Sequence, residues 1–337
     1  MTPPRTAGPA SVGVFSGGET YGDAIYKVIF LRALRRAFPA ATITWFTAAD
    51  TLYATSLREV AQSGERGPPL LDRVVPNCGI GDGVALLLRR PPAGLGPFDL
   101  LLDTQSLLWR TLAARRVPHG RFLSASSLRN PPPHILDRLL ALLERATGEA
   151  PRRDPSPLPV PPALRAAAAQ ALTKDAAHGI GFAPGAGGAR KIWPLDRFLA
   201  LAEGVAATGR TPAFLLGPNE LPLRAEIASR LPAAEFPLQH PAWDAVGGPL
   251  PMATVALAGR LAAAVSNDSG TGHMIAAGGA PLVSLFGPSD PAKFRPVAGR
   301  GIVLRATDHG GPEMTRLPVE AVREALDSLL SGTWRAA

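Results

Sequence analysis

The sequence predicts an α/β protein built from two similar halves, each containing a parallel β-sheet. Two observations lead to this fold class. Short apolar segments alternate with segments of helical periodicity along the whole chain. Residues 149–163, EAPRRDPSPLPVPPA, contain six prolines and interrupt that alternation. Because proline disfavours helices and central strands, we predict a linker there. We expect an N-terminal domain over 1–160, a C-terminal domain over 164–337, and a ligand-binding cleft between them.

The first half shows the strand–helix–strand order of a βαβ unit. Residues 11–15 (SVGVF) predict a strand, followed by a glycine-rich turn. The segment 23–38 carries apolar residues at helical spacing and ends before a proline, which predicts a helix with one buried face. Residues 41–46 (ATITWF) and 98–104 (FDLLLDT) predict further strands, the second apolar enough to be buried on both faces.

The second half repeats this alternation. Strands followed by turns are predicted at 179–185, 211–220, 261–270 and 281–288. Helices are predicted at 195–205, 223–231, 273–279 and 319–330, the last of them amphipathic. The two halves together therefore contain the pattern of two Rossmann-like domains.

Composition narrows the class of protein. Hydrophobic residues make up 46% of the chain and charged residues 18%, which indicates a globular protein. The opening MTPPRTAGPA lacks the apolar run of a signal peptide and no apolar stretch is long enough for a spanning helix, so we expect a cytoplasmic location. The single cysteine, Cys78, predicts no disulfide or cysteine metal site and is expected to be a small buried hydrophobe. The net charge is +8, but the basic residues do not form the arrays with interleaved aromatic residues that bind single-stranded nucleic acid. We therefore do not expect nucleic acid as a partner.

A polar, glycine-bearing segment at 267–273, NDSGTGH, lies between a predicted strand and a predicted helix. A helix beginning near Ser269 would direct free N–H groups and the positive end of its dipole at an anion, and glycines would let that anion approach the backbone. We therefore predict a site for a phosphorylated ligand. Two alternatives are a simple helix cap by Asp268 and a metal site formed by Asp268 with His273.

Two further turns follow predicted strands of the second half. PGAGGARKIWP, residues 184–194, fails the nucleotide-triphosphate motif, but it presents Lys191 on a glycine-rich turn where a lysine can act as a point charge for a diphosphate. GPNE, residues 217–220, presents Glu220, which could accept hydrogen bonds from two ribose hydroxyls. A solvated loop lysine and a first-turn helix glutamate are the structural alternatives.

The turn SGGETYGD, residues 16–23, offers a carboxylate at the end of the first predicted strand. Asp23 could serve as a general base or stabilise the start of a helix, and Glu19 is its rival because spacing does not separate the two. The histidines at 119, 134, 178, 240 and 309 show no triad or ligand spacing and are predicted to be structural or on the surface.

These segments, in order, resemble glycosyltransferase family 9, the ADP-heptose:lipopolysaccharide heptosyltransferase-like enzymes. The Gly22-Asp23 turn, FDLLLDTQSLLWRTLAARRVPHG and APGAGGARKIWPLDRFLALAEGV are similar to the family's blocks. NDSGTGHMIAAGGAPLVSLFGPSDP resembles its D-[ST]-G-x-x-H hallmark, which is the most specific of these motifs.

The resemblance implies a GT-B fold, with two Rossmann-like domains facing a central cleft and the donor held mainly by the second. It implies an inverting transfer from a nucleotide-diphosphate sugar, ADP-linked in the family's name, with no metal or other cofactor. Asp23 would be the general base, Lys191 would neutralise the diphosphate and Glu220 would hold the ribose. Phosphate oxygens would be bound by the hallmark residues, with Asp268 and His273 beside them: Ser269, Gly270 and Thr271.

The expected acceptor is a lipid-linked glycan of lipopolysaccharide or another surface polysaccharide, with peripheral contact at the inner membrane. Two other functions remain open at this point. One is a GT-B sugar-nucleotide epimerase, which would need a second acid/base group, for which Glu19 and His119 are the candidates. The other is a non-catalytic nucleotide-sugar-binding paralogue.

Overall fold

The structure is a computed structural model that describes residues 8–63, 67–80, 94–172, 178–248 and 251–333. Residues 1–7, which carry part of the prediction that no signal peptide is present, lie outside these ranges. The chain forms two compact units, Met1–Asp154 and Pro155–Ala337. Their boundary falls inside the proline-rich segment 149–163.

Unit 1 contains a five-stranded sheet flanked by helices. Its strands are β1 (Ser11–Ser16), β2 (Thr42–Thr47), β3 (Arg73–Val75), β4 (Phe98–Asp103) and β5 (His119–Ser124). Its helices are α1 (Tyr21–Ala37), α2 (Arg58–Gln62), α3 (Leu108–Ala114) and α4 (Ile135–Thr147), with single 3₁₀ turns at Leu52–Ala54 and Ala125–Ser127. The strand order is β3-β2-β1-β4-β5, and every pair is parallel.

Unit 2 repeats this architecture. Its strands are β6 (Gly179–Ala183), β7 (Thr211–Phe214), β8 (Ala263–Asn267), β9 (Leu282–Phe286) and β10 (Gly301–Arg305). Its helices are α5 (Pro162–Ala171), α6 (Leu195–Ala207), α7 (Leu223–Arg230), α8 (Pro251–Ala258), α9 (Gly270–Ala277), α10 (Pro291–Phe294) and α11 (Val319–Ser331). Short 3₁₀ helices lie at Ala189–Lys191, Pro237–Gln239, Pro241–Val246, Ala306–His309 and Met314–Arg316. The strand order is β10-β9-β8-β6-β7, again parallel throughout.

These two sheets confirm the predicted α/β fold class with two Rossmann-like domains. The strands at the middle of each sheet are buried on both faces, as their near-continuous apolar sequences predict. In unit 2 the core joins the sheet to helices α6 and α11, with Phe182, Phe198 and Leu326 among its fully or almost fully buried members. This packing holds the strand ends, and therefore the loops that follow them, in defined positions.

Three strands of the structure were not predicted from the sequence: β3, β5 and β10. Each lies at the edge of its sheet and is partly exposed. An edge strand pairs on one side only, so its sequence does not need the continuous apolar run that marks a central strand. The signal used for the other strands is therefore weak in these three.

Two further expectations concern burial and membranes. Cys78 is 3% exposed within the core of unit 1, and burial raises the pKa of its thiol, which confirms it as a small buried hydrophobe. In the described ranges, no helix combines the length and apolar character needed to span a bilayer.

Candidate active site

Four loops leave the sheet of unit 2 at one edge. The parallel register pairs Ala183 with Ser266 and Asn267 with Leu285, so β6, β8 and β9 end side by side. The neighbouring β7 ends one strand further along. The loops that follow these strands carry all the residues predicted to bind the donor. The common carboxyl edge of parallel strands is where α/β proteins usually bind ligands.

Asn267, the last residue of β8, joins two of these loops through its side chain. Its Nδ2 donates to the carbonyl oxygen of Pro184 at 2.7 Å, and its Oδ1 accepts from the backbone N–H of Trp193 at 3.1 Å. The indole of Trp193 is fully buried and donates to the carbonyl of Leu317 at 3.0 Å. One buried amide therefore holds both ends of the glycine-rich loop 184–193.

This restraint places Lys191 against the segment that follows β8. Its Nζ lies 2.7 Å from Oδ2 of Asp268, and the same oxygen accepts from the hydroxyl of Ser289 at 2.5 Å. The Lys191 side chain is 35% exposed and Asp268 only 7%. The carboxylate takes one of the three N–H donors of the ammonium, so the other donors remain for a ligand at the exposed side.

The N-terminus of α9 lies at the same edge. Ser269 is the residue that caps this helix, because its Oγ accepts from the backbone N–H of Gly272 at 3.3 Å. The structure therefore does not support the alternative in which Asp268 is the cap. The N–H groups of Gly270 and Thr271 belong to the first turn, where a helix supplies no partner of its own, and such groups bind anions. His273 is buried three residues into the helix.

Glu220 lies over the backbone of two glycines at the ends of β6 and β7. A Cβ atom added to Gly185 would come within 2.5 Å of Cδ of Glu220, and one added to Gly217 would come within 2.9 Å of its Oε2. The absence of side chains at both positions thus leaves room for the carboxylate to lie flat against the loops. Glu220 is half-buried there.

In unit 1, Asp23 lies in the first turn of α1. The hydroxyl of Thr20, which caps the helix, donates to Oδ2 of Asp23 at 2.9 Å. The hydroxyl of Tyr26 donates to Oδ1 at 2.6 Å. Burial and the neighbouring Asp23 raise the pKa of Tyr26, so its hydroxyl stays protonated and remains a donor at neutral pH. A half-exposed carboxylate is therefore held in one orientation by two hydroxyls.

Glu19, the rival of Asp23, is in a different environment. Its side chain is completely buried, with Oε1 accepting from Ser16 at 2.7 Å and lying 3.5 Å from Nζ of Lys27. The Lys27 side chain is itself only 8% exposed. A carboxylate used in this buried ion pair has no path to a substrate hydroxyl, which favours Asp23 as the accessible base.

A second buried carboxylate, Asp103, ends β4 next to β1. It accepts from the hydroxyls of Thr111 and Ser124 at 2.6 and 2.8 Å and from the backbone N–H of Gln105 at 2.9 Å. Burial raises the pKa of Asp103, against the effect of these hydrogen bonds. The contacts tie the middle of α3 to the end of β5, which is a structural role.

The predicted site residues thus divide between the two units. Unit 2 brings together Lys191, Glu220 and the hallmark segment 268–273, whereas Asp23 belongs to unit 1. His119 begins β5, at the sheet edge opposite the Asp23 turn, and its Nδ1 lies 2.7 Å from the carbonyl of Val117. Within the part of the chain that the structure describes, no group of three or more histidine, cysteine or acidic residues is placed to hold a metal ion.

Three contributors were not predicted from the sequence: Asn267 as a clamp, Ser289 as a partner of Asp268, and Tyr26 as a partner of Asp23. The last has a local signal, since residues three apart on a helix face each other. The other two join segments separated by 21 to 83 residues, and no spacing rule could have found them.

Comparisons with known proteins agree with the resemblance drawn from the motifs. Residues 111–320 match the profile of "Glycosyltransferase family 9 (heptosyltransferase)". The lipooligosaccharide heptosyltransferases 2 of Haemophilus influenzae and Haemophilus ducreyi are each 32% identical, over 127 and 195 residues. These stretches are 37% and 54% of this chain, and 36% and 55% of the relatives' own length.

A solved structure shares the architecture. The ADP-heptose lipopolysaccharide heptosyltransferase II of Escherichia coli superposes with a TM-score of 0.66 at 20% identity, covering 96% of this chain and 99% of that one. At that identity the likeness concerns the fold, which is GT-B. The matched profile, in contrast, extends over well more than half of the chain and includes every predicted donor-binding residue. The chain therefore belongs to glycosyltransferase family 9.

Proposed function

We propose that the protein is an inverting, metal-independent glycosyltransferase that moves a heptose from ADP-heptose to a lipopolysaccharide-type acceptor. The observation that carries this proposal is the arrangement at the carboxyl edge of unit 2. There a lysine, a helix N-terminus and a half-buried glutamate lie on loops that follow neighbouring parallel strands. These are the groups that a nucleoside diphosphate requires. The heptose and the ADP come from the names of the relatives.

The donor's diphosphate would lie at the N-terminus of α9, with Lys191 beside it. As the bond from the sugar to the diphosphate breaks, negative charge grows on the leaving phosphate oxygen. The N–H groups of Gly270 and Thr271 and the ammonium of Lys191 would stabilise this charge. Because Asp268, which itself accepts a hydrogen bond from Ser289, holds the lysine, its flexible side chain loses little entropy when the donor binds. Glu220 would accept hydrogen bonds from the ribose hydroxyls.

Asp23 would act as the general base. Its carboxylate takes the proton of the attacking acceptor hydroxyl, and that oxygen forms a bond to the anomeric carbon. On the opposite face, the bond between this carbon and the diphosphate oxygen breaks, and the nucleoside diphosphate leaves. Attack opposite to the leaving group inverts the configuration of the sugar. Thr20 and Tyr26 each occupy one lone-pair position of the carboxylate and fix its direction, leaving others for the substrate.

The acceptor would be a lipid-linked, anionic glycan, so the reaction would take place at the cytoplasmic face of the inner membrane. The excess of basic residues in the chain, a net charge of +8, suits such an acceptor.

The first experiment is a thermal-shift series with ADP, UDP, GDP and CDP, each with and without EDTA. A ligand that binds only the folded protein raises its melting temperature by mass action. We expect a shift with ADP that EDTA does not change. Lys191→Met should lose most of this shift, whereas Asp23→Asn should keep the shift and lose transfer. Arg190→Met, one residue away and exposed, is the matched control for the loss of one positive charge.

The outcomes separate the alternatives. Binding of ADP without transfer by the wild type, and without an effect of Asp23→Asn, would indicate a non-catalytic paralogue. A shift that disappears with EDTA would contradict metal independence. Near-normal turnover by Asp23→Asn would remove Asp23 from the mechanism.

A further inference from the structure

A short apolar surface on unit 1 has no role in the proposed chemistry. It is formed by Leu107, Leu108 and Leu112, which are 46%, 68% and 46% exposed. They make up three of the seven strongly exposed large hydrophobic residues within the described ranges. Leu108 and Leu112 are one helical turn apart on α3 and therefore share a face. Three leucines clustered within six residues need an explanation that scattered exposed residues do not.

Two basic side chains follow the leucines in the chain. Arg115 is the C-terminal cap residue of α3, and Arg116 follows it in the turn beyond the helix, so both lie at the C-terminal end of the leucine-bearing helix. Both are exposed, and the guanidinium of Arg115 lies 5.9 Å from the centre of the Phe122 ring. We call the surface formed by Leu107, Leu108, Leu112, Arg115 and Arg116 the α3 face.

The stretch of sequence that contains the α3 face carries no acidic residue. Residues 104–136 include five arginines and neither an aspartate nor a glutamate. The two carboxylates that bound this stretch are Asp103, which is buried and hydrogen-bonded, and Asp137, which is paired with Arg153. Leucines beside basic side chains, with acidic ones absent, make up the composition of a surface that rests on an anionic lipid layer.

We propose that the α3 face binds the surface of an anionic phospholipid bilayer. The arginines contact lipid phosphates, and the leucines enter the boundary between headgroups and acyl chains. A helix of seven residues allows only shallow insertion, so binding is peripheral and reversible. A second copy of the chain is a poorer occupant. The net charge of +8 makes two copies of the chain repel each other, whereas it favours approach to an anionic surface.

This inference rests on the proposed function, since it identifies the surface by which the enzyme would reach a lipid-linked acceptor. Its test does not depend on catalysis. The full-length protein is sedimented with vesicles of phosphatidylcholine alone or mixed with phosphatidylglycerol, at low and high salt. We expect binding only to the vesicles that contain phosphatidylglycerol, weakening as salt screens the charges.

Two double variants separate the two contributions. Arg115→Gln with Arg116→Gln should weaken partitioning about twenty-fivefold, because each basic side chain at an anionic surface contributes roughly fivefold. Leu108→Ser with Leu112→Ser should weaken it by about tenfold or more through lost apolar burial. The matched controls lie in unit 2: Leu221→Ser for exposed leucine, and Arg300→Gln with Arg323→Gln for charge. These controls should partition like the wild type.

The inference is overturned if the wild-type protein does not bind the anionic vesicles. It is equally overturned if both α3 variants bind these vesicles as well as the control variants do. It is also overturned if the leucine variant changes the oligomeric state, measured by light scattering, and leaves vesicle binding unchanged. In that case the α3 face would be an interface between copies. The melting temperature of each variant, with and without ADP, shows that its fold and donor site are intact. A failure of the donor-site proposal therefore remains distinguishable.

Discussion

Gly185→Ala tests the proposed ribose contact without touching the residue that makes it. Gly185 is not among the glycines with a left-handed backbone, so alanine is conformationally acceptable there. The new methyl group would lie 2.5 Å from Cδ and 3.0 Å from Cγ of Glu220, which is closer than carbon atoms can approach. Because Glu220 is a half-buried, flexible side chain, it should swing away instead of forcing the backbone to move.

The expected cost appears in nucleotide binding and hardly in stability. A displaced Glu220 can no longer accept from the ribose hydroxyls, and a hydrogen bond to a charged group is worth about 1.5–3 kcal/mol. One lost bond of this kind therefore weakens ADP binding about ten- to hundredfold. The melting temperature of the ligand-free protein should change little, since no core residue lies at this position.

Isothermal titration calorimetry with ADP provides the measurement, and the same loop provides the control. Gly187 has no atom within 4 Å of an added Cβ, so Gly187→Ala should bind ADP like the wild type. Glu220→Ala should reproduce the loss, and Gly185→Ala added to it should have no further effect, because the clashing atoms are gone. If Gly185→Ala binds ADP as tightly as Gly187→Ala, then Glu220 does not contact the nucleotide as proposed.

Two further predictions concern stability. Asn267→Ala should lower the free energy of unfolding by about 2–4 kcal/mol in urea denaturation, because it leaves the buried carbonyl of Pro184 and N–H of Trp193 without their partner; a change below about 1 kcal/mol would contradict the clamp. Asp103 has a raised pKa in the folded state, so its contribution to stability is complete below about pH 4 and is lost as the pH rises through that folded pKa. Asp103→Asn removes this titration, and the stability of the wild type relative to the variant should therefore fall from acid to neutral pH. If the free energies of unfolding of the two proteins, measured by urea denaturation, change in the same way across that pH range, the assignment is refuted.

Much of the fold follows from local sequence pattern. Central strands such as β1, β6, β8 and β9 are mainly apolar because both faces are covered, and the amphipathic helices show their buried stripe directly. The edge strands β3, β5 and β10 escaped prediction because each is exposed along one side. These edge strands are stabilised by pairing with segments that are distant in the chain, and that pairing is not visible in the local sequence of each strand.

The candidate site divides in the same way. Its location could be predicted, since turns that follow parallel strands must meet at one edge of a sheet. That is why Lys191, Glu220 and the segment 268–273 could be predicted as a group from their positions in the chain, and the structure does place them at the same edge. Their roles in binding stay a prediction.

The choice between equivalent side chains required the three-dimensional structure. Glu19 and Asp23 have the same chemistry four residues apart, and only the burial of Glu19 beside Lys27 separates them. Asp268 and Ser269 are both good helix caps in sequence, yet Asp268 is occupied by Lys191 and Ser289 and the cap is Ser269. Local pattern thus decided the elements, their order and the edge at which the loops meet. Solvent access and long-range partners decided which carboxylate remains available, because they depend on atoms that are close in space and distant in the chain.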